Sequence, residues 1–278
     1  MTRLLLDLPR LAVPETAPTL PRDVPRRAPA SLSLAGFSVR DTRADQLARF
    51  LTRRLSSGRK IAVGFVNQNF VTTCTGVRQG PCADDSLILV NDGIGMQLAA
   101  LLRFGRGFRE NLNGTDFVPR FLREAGRPLT VFLVGSEPAV VGRAAAVIGR
   151  LPQCHVVGQC DGFSLWQREA AVLEEIALAA PDILLVGLGN PVQERWVLQH
   201  WEQLDAKIIF GVGALFEWLS GHRRRAPLAV RRLRLEWLYR LALEPRRLCR
   251  RYTLGILHFF TLVLALPAVA RPRTKVTS

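Results

Sequence analysis

The chain has 278 residues, of which 48% are hydrophobic, which is enough for one large domain with or without an appendage. Its formal net charge of +15 favours an anionic partner: nucleic acid, an anionic membrane surface or a phosphorylated substrate. The five cysteines form no CxxC pair and the four histidines lack metal-ligand spacing, so we expect reduced thiols, a cytosolic compartment and no metal site. The opening residues lack the apolar core and cleavage site of a signal peptide.

The first segment, residues 1–33, is expected to be a disordered arm. It carries six prolines interleaved with arginines, and proline interrupts both helices and strands. A solvated tail is the simplest interpretation, and partner binding is the alternative. The folded core is therefore predicted to cover residues 34–221.

Strands and helices alternate along this predicted core. A helix is expected over residues 41–58, which begin with an acid and end with glycine. Apolar runs predict strands at "KIAVGFV", "DSLILV", "PLTVFLV", "QCHVV", "PDILLVG" and "AKIIFG", and helices at "VVGRAAAVIGRL", "LWQREAAVLEEIALAA" and "QERWVLQHWEQL". Apolar strands separated by helices indicate an α/β, Rossmann-like fold with a mostly parallel sheet and helices on both faces.

Polar and glycine-rich groups follow the strands of this sheet. They are "NQN" (67–69), "NDGIG" (91–95), "GSE" (135–137), "GLGNPVQE" (187–194) and "GVGAL" (211–215). Ligands bind beyond the carboxyl ends of the strands in open α/β sheets. We therefore expect these groups to line one cleft.

Asp92 is the candidate catalytic residue within these groups. A carboxylate at a strand end can serve as a general base for a hydroxyl, and Gly93 and Gly95 would let the backbone approach a ligand closely. Capping of the following helix is an equally good explanation of an acid at this position.

Two further groups suit a sugar or a phosphate. Gln193 and Glu194 are predicted in the first turn of a helix, whose free N–H groups bind phosphate, although capping alone also explains them. Asn67 and Asn69 are two residues apart, so an extended chain would turn both amides to one side, where they suit sugar hydroxyls. Turn residues without a ligand have the same pattern.

The composition changes after residue 221. Residues 222–251 contain eleven arginines and two acids, with leucines and aromatics at helical spacing, which indicates a basic amphipathic helix. Residues 252–270 are apolar, but they are marginal for a span of about 20 residues. We predict that residues 222–278 form a C-terminal appendage in peripheral or re-entrant membrane contact. A helix packed on the core is the alternative for residues 252–270.

Three absent motifs restrict the chemistry. No GxGxxG follows a strand, no GxxxxGK[ST] occurs, and no DxD lies near a strand end. No cofactor is therefore predicted, and arginine would have to supply the positive charge that a bound phosphate needs.

Several strings in order resemble the WecG/TagA/CpsF family of bacterial glycosyltransferases, glycosyltransferase family 26. They are "NDGIGMQLA", "NLNGTDF", "VFLVGSEPAVV", "PDILLVGLGNPVQERW" and "FGVGALFEWLSGHRRRAP", and the similarity covers residues 34–251. Within the family, the chain resembles GumM-type β-1,4-glucosyltransferases of exopolysaccharide assembly. The resemblance implies inverting, metal-independent transfer of a sugar, with glucose as candidate, from a UDP-sugar to a polyprenyl-diphosphate-linked saccharide at the cytoplasmic face of the inner membrane.

The resemblance also implies roles for individual residues. It implies that Asp92 is the catalytic base and that Asn67 replaces a threonine of the family. It also implies that Asn111 stands at the position of a family arginine, for which Arg109 is a candidate substitute. Gly114 and Asp116 fit the family's G-x-D motif, and Glu217 takes the place of an acid that reads the nucleotide base. The full set of candidate substrate-binding residues is Asn67, Asn69, Asn91, Gly93, Asn111, Gly135, Gly187, Gly189, Asn190, Gln193, Glu194, Glu217, Arg223, Arg224 and Arg225.

Other functions compete with this one. A nucleic-acid-binding protein would explain the charge, but the basic residues lie beside an apolar run and suit a bilayer better, so nucleic acid is not expected as a partner. A non-catalytic membrane scaffold would give Asp92 and Gln193 no role. An epimerase on the same fold would need a nicotinamide site that the sequence lacks. The oligomeric state stays open, homo-oligomerisation included.

Overall fold

A computed structural model describes residues 31–75, 77, 86–223, 226–227, 230, 236–243, 245 and 253–266. Residues 1–30 of the predicted arm lie outside these ranges. The predicted boundary at residue 34 is three residues late, because the first strand begins at Ser31.

The strands form one mostly parallel sheet. They are β1 (Ser31–Leu34), β2 (Phe37–Arg40), β3 (Ile61–Val66), β4 (Leu87–Asn91), β5 (Leu129–Gly135), β6 (Cys154–Cys160), β7 (Ile183–Gly187) and β8 (Ile208–Gly211). Their order is β1-β2-β4-β3-β8-β7-β5-β6. Only β1 and β2 pair antiparallel within the described strands, and every other pair of neighbours is parallel. The predicted Rossmann-like sheet is confirmed, and its last strand, β8, lies at the centre.

The described helices depart from prediction in several places. They are α1 (Ala44–Ser57), α2 (Gln68–Cys74), α3 (Ile94–Phe104), α4 (Gly114–Glu124), α5 (Pro138–Gly149), α6 (Gly162–Gln167), α7 (Glu169–Ala179), α8 (Val192–Gln199), α9 (Leu215–Leu219), α10 (Glu236–Leu243) and α11 (Leu254–Ala265). The single helix predicted at "LWQREAAVLEEIALAA" is two helices that break at Arg168. Helix α8 ends at Gln199, earlier than predicted, and α2, α4 and α9 were not predicted.

Helices cover both faces of the sheet because each central strand is apolar on both sides. In β7, Ile183 and Leu185 pack in the cluster that holds the buried sides of α1, α4 and α5. Leu184 and Val186 enter a different cluster, with α7 and α8. Successive side chains of a strand point to opposite faces, so these two clusters lie on opposite sides of the sheet.

Helix α11 packs on the core, although the sequence placed it in the appendage. Phe259 and Val263 are fully buried in a cluster with residues of α2, α3 and the β1–β2 edge. The Arg103 guanidinium of α3 donates to the carbonyl oxygens of Val263 (3.0 Å) and Leu264 (3.1 Å). The boundary predicted at residue 222 therefore cuts off a helix that completes the core. In the described part of the chain, every helix is too short or too polar to cross a bilayer.

The outer sides of α3 and α11 expose apolar residues, which we call the leucine face. Its members are 48–65% exposed, a large fraction for leucine. They are Leu98, Leu101 and Leu102 of α3 and Leu254, Leu257 and Leu264 of α11.

An ion-pair network joins β5, β7 and β8 at the amino ends of the strands. The buried Asp182 carboxylate accepts hydrogen bonds from Lys207 Nζ (2.7 Å) and from the Thr130 amide (3.2 Å). Burial alone would raise the pKa of Asp182, but these bonds and the nearby Arg127 charge outweigh it, so the pKa lies below its ordinary value.

We expect the substitution Asp182→Asn to lower the free energy of unfolding by about 1.5–3 kcal/mol at pH 7, because it removes hydrogen bonds to a charged group. Since the folded-state pKa is depressed, the contribution is present above the unfolded pKa of about 3.9 and is lost as pH falls through the lower folded pKa. Urea unfolding of both proteins at pH 7 and pH 3 measures this. A difference that stays the same at pH 3 would contradict the assignment.

Candidate functional site

One cavity of about 1000 Å³ opens at the carboxyl ends of the strands. Residues from all five predicted polar and glycine-rich groups line it, so the structure brings those groups together as expected. The candidate residues that line it are Asn67, Asn69, Asp92, Gly93, Asn111, Gly187, Gly189, Asn190, Gln193, Glu217 and Arg223.

Asp92 is half-buried in the cavity wall, directly after β4. Its backbone amide donates to the Val66 carbonyl oxygen (2.8 Å), which fixes the residue against the end of β3. The Asn67 amide nitrogen donates to Asp92 Oδ2 at 3.4 Å. The N-cap of α3 is Gly93, so Asp92 does not hold the capping position that the alternative explanation gave it.

Asn111 supports the turn that carries Asp92. Its side-chain oxygen accepts a hydrogen bond from the Gly93 amide at 2.6 Å. Gly93 has φ of +92°, which a residue with a side chain rarely adopts. Asn111 therefore holds the glycine turn, while it also lines the cavity.

The spacing argument for Asn67 and Asn69 is wrong. Helix α2 begins at Gln68, so Asn67 is its N-cap, accepting from the Phe70 amide (3.0 Å), and Asn69 is helical. Both residues line the cavity nevertheless. The extended conformation does not form because only one residue, Asn67, separates the end of β3 from the start of α2.

The side chain of Gln193 connects two loops through hydrogen bonds. As predicted, it lies in the first turn of α8, but its side chain is buried. Its Oε1 accepts from the amides of Gly189 (3.2 Å) and Gly213 (3.0 Å), which follow β7 and β8. The side-chain oxygen predicted to meet a sugar or phosphate is therefore used to shape the cavity wall.

Glu194, predicted to bind substrate, points away from the cavity. Its Oε1 accepts from the side-chain nitrogens of Asn190 (2.6 Å) and Gln193 (2.7 Å), and Cys74 Sγ lies 3.7 Å from Oε2. Burial raises the pKa of Glu194 despite these hydrogen bonds, and burial beside Glu194 raises the pKa of the Cys74 thiol to about 12. This hydrogen-bond network holds the start of α8 in place on the side away from the cavity.

Two further candidates do not line the cavity. Asn91 is fully buried at the end of β4, and neither polar atom of its side chain has a hydrogen-bond partner among the described residues. Gly135 has φ of +120°, and a Cβ there would lie 2.5 Å from the carbonyl carbon and oxygen of Gly187. Glycine at position 135 is explained by close packing of two strand ends and not by a ligand.

The arginine candidates divide into three cases. Arg223 lines the cavity and forms an ion pair with Glu217, with Nε and Oε2 2.6 Å apart. Glu217 is thus paired with a cation in this structure. Arg109 does not replace the family's arginine, because its amide (2.8 Å) and guanidinium (3.7 Å) contact Asp41 outside the cavity. Arg224 and Arg225 lie outside the described residues.

Sequence reasoning missed an aromatic pair in the cavity wall. Phe163 and Trp166 of α6 line the cavity, and they are 66% and 55% exposed. The available signal was two aromatics three residues apart, directly after β6, which places them on one side of a helix at a strand end. In the described ranges, His, Cys, Asp and Glu form no group of three or more that could hold a metal ion.

A comparison with known families places this cavity in context. The sequence model of the family described as "Glycosyl transferase WecG/TagA/CpsF family" matches residues 32–273. The match begins at β1 and extends past α11, so it covers every described element of the chain.

Proposed function

Because the chain belongs to the WecG/TagA/CpsF family of glycosyltransferases, which act in cell-surface polysaccharide synthesis, we propose that it transfers a hexose from a UDP-sugar to a polyprenyl-diphosphate-linked saccharide with inversion. Glucose and an exopolysaccharide product are the candidates from the GumM-type resemblance. The observation that carries the proposal is a carboxylate, Asp92, in the same cavity as the start of α8 and Arg223.

The proposed reaction is a single displacement. An acceptor hydroxyl gives its proton to the Asp92 carboxylate as its oxygen forms a bond to the anomeric carbon. The bond from that carbon to the diphosphate oxygen breaks on the opposite face, and UDP leaves. Asn67, which donates to Asp92 Oδ2, helps to hold the carboxylate in place.

Charge on the departing diphosphate needs stabilisation. The first turn of α8, where Val192 and Gln193 line the cavity, presents the positive end of the helix dipole to it. Arg223 adds a full positive charge, and it would exchange its partner Glu217 for the diphosphate. In the proposed step, the helix dipole and Arg223 stabilise the negative charge of the departing diphosphate in place of a metal ion.

The donor assignment is tested with membranes that carry lipid-linked acceptor, incubated with a panel of radiolabelled UDP-sugars. We expect one UDP-hexose to label the lipid fraction and the product to have the inverted anomeric configuration by NMR. Labelling only by sugars carried on other nucleotides, or a retained configuration, would contradict the proposal.

The leucine face supports peripheral association with the cytoplasmic face of the inner membrane. Helix α3 starts two residues after Asp92, so this apolar surface adjoins the catalytic end of the cavity. The arginine-rich residues 222–251 precede α11 in the chain, and basic residues attract anionic headgroups by roughly 1 kcal/mol each. A lipid-linked acceptor would reach Asp92 from this side.

We expect the double substitution of Leu101 and Leu257 by aspartate to weaken binding to anionic liposomes at least about tenfold, because burying one leucine is worth about 1.5–3 kcal/mol. Sedimentation with liposomes measures this. Leu178→Asp is the matched control, since this leucine of α7 is 81% exposed away from the leucine face. Unchanged liposome binding would contradict the surface assignment, and binding to RNA alone would favour the nucleic-acid alternative.

A further inference from the structure

The ends of β2 and β4 lie side by side, and each strand is followed directly by an aspartate. The two strands are neighbours in the sheet, and the pairing between them ends at Arg40 and Val90. Asp92 lines the cavity, whereas Asp41 does not, and the side chain of Asp41 is fully buried. A carboxylate is rarely buried unless it is paired, so the partners of Asp41 indicate what this residue holds in place.

Asp41 is bonded to the segment that connects α3 to α4, residues 105–113, which we call the connecting segment. Its Oδ2 accepts a hydrogen bond from the Arg106 guanidinium at 2.7 Å, and its Oδ1 accepts one from the Arg109 backbone amide at 2.8 Å. The Arg109 guanidinium lies 3.7 Å from Oδ2. Hydrogen bonds to a charged group are stronger than those between neutral groups, so Asp41 fixes the first half of the connecting segment.

The second half of the connecting segment holds both neighbours of Asp92. The Asn111 side-chain oxygen accepts a hydrogen bond from the Gly93 amide at 2.6 Å. The Leu112 amide donates to the Asn91 carbonyl oxygen at 3.0 Å. Asp92 therefore lies between two residues that are both bonded to the connecting segment, and a movement of that segment would displace the carboxylate.

A very short stretch of chain joins the two halves. Arg109, whose amide Asp41 holds, and Asn111 are two positions apart. Glu110 lies between them, and its side chain accepts a hydrogen bond from the Ala44 amide at the start of α1 (3.0 Å). Consecutive Cα atoms are held about 3.8 Å apart, so a chain of this length transmits a displacement. Loosening at Asp41 would therefore reach the turn that carries the candidate base.

We infer that Asp41 is a positioning residue for the reaction: through the connecting segment, it holds the Asp92 carboxylate where the acceptor hydroxyl loses its proton. This inference rests on the proposed function, because it takes Asp92 as the general base. A misplacement of about 1 Å that is caused by a distant mutation can cost about 100-fold in rate. In the proposed reaction the diphosphate binds at the start of α8 and at Arg223, so donor binding should not depend on Asp41.

Initial rates of the full chain with lipid-linked acceptor and radiolabelled UDP-glucose, or the UDP-hexose that the donor panel selects, test the inference. Asp41→Asn keeps the shape but removes the charge, and it is expected to lower kcat about 10- to 100-fold while the donor KM stays within about twofold. Arg106→Gln, at a half-exposed position, removes the same ion pair without altering a buried residue and should lower kcat in the same direction but less. Asp182→Asn is the matched control, since it also removes a buried, paired carboxylate but at the amino ends of the strands, and it should leave kcat unchanged.

A second comparison uses Asp92→Asn as the background. The group that Asp41 positions is then no longer a base, so adding Asp41→Asn should lower kcat by less than about threefold, far less than the product of the two single losses. Unchanged kcat in both Asp41→Asn and Arg106→Gln would overturn the inference. A similar loss in Asp182→Asn, or a full loss in the Asp92→Asn background, would overturn it as well. Undiminished turnover of Asp92→Asn alone would instead contradict the proposed function.

Discussion

The substitution Asp92→Asn is expected to lower kcat about 10²- to 10⁴-fold, the usual contribution of a general base. Asparagine has nearly the same shape, and the backbone hydrogen bond from residue 92 to Val66 does not involve the side chain. Folding and donor affinity should therefore be preserved. Because the base acts only as the acceptor proton is lost, kcat and kcat/KM should fall together while the donor KM changes little.

Initial rates with lipid-linked acceptor, with circular dichroism to verify folding, measure this effect. The matched control is Asp45→Asn, which removes an exposed carboxylate of α1 that is paired with Arg49 and does not line the cavity, and it should leave kcat unchanged. Asp92→Glu keeps the carboxylate but moves it by one methylene, so partial activity is expected. An Asp92→Asn protein that keeps more than a tenth of the original kcat would remove this carboxylate from the mechanism.

The second large effect concerns stability. Gly135→Ala is expected to lower the free energy of unfolding by about 2–6 kcal/mol. A side chain at φ of +120° is strained, and the added Cβ would lie 2.5 Å from backbone atoms of Gly187. These atoms belong to the end of β7, so no flexible side chain can yield and the strands themselves must separate.

The substitution Gly126→Ala distinguishes the cost of backbone strain from the cost of close packing. Gly126 also has positive φ (+70°), but no atom lies within 4 Å of the position that its Cβ would take. Strain alone should then cost about 1–2 kcal/mol. Urea denaturation of both variants gives the comparison, and equal losses would show that the close approach of Gly135 to Gly187 does not matter.

Most of the fold follows from local patterns in the sequence. Uninterrupted apolar runs such as "DILLVG" predict strands that are buried on both faces, and such strands belong to a parallel sheet. The β1–β2 hairpin was missed because its strands have four residues each and adjoin the proline-rich arm. The central place of β8 could not be predicted, since it depends on pairing with β3, which is remote in sequence.

The location of the site was predictable, whereas the directions of its side chains were not. Strand ends identified Asp92, Asn67 and Gly189 because parallel strands end at one edge. The directions of Gln193 and Glu194 depend on Gly213 and Cys74, which come from other parts of the chain, so no local pattern shows them. The exposure of Phe163 and Trp166 likewise depends on the break between α6 and α7, which the sequence pattern does not show.

The central position of β8 also bears on when the domain can become active during translation. In the described sheet, β8 lies between two blocks of strands, β1–β4 and β5–β7, and pairs with β3 on one side and β7 on the other. Asp92 belongs to the first block, and the start of α8 follows the second. A nascent chain halted before residue 208 thus holds both halves of the proposed catalytic site without the strand that lies between them. We expect activity to arise late in translation, after nearly the whole domain has emerged.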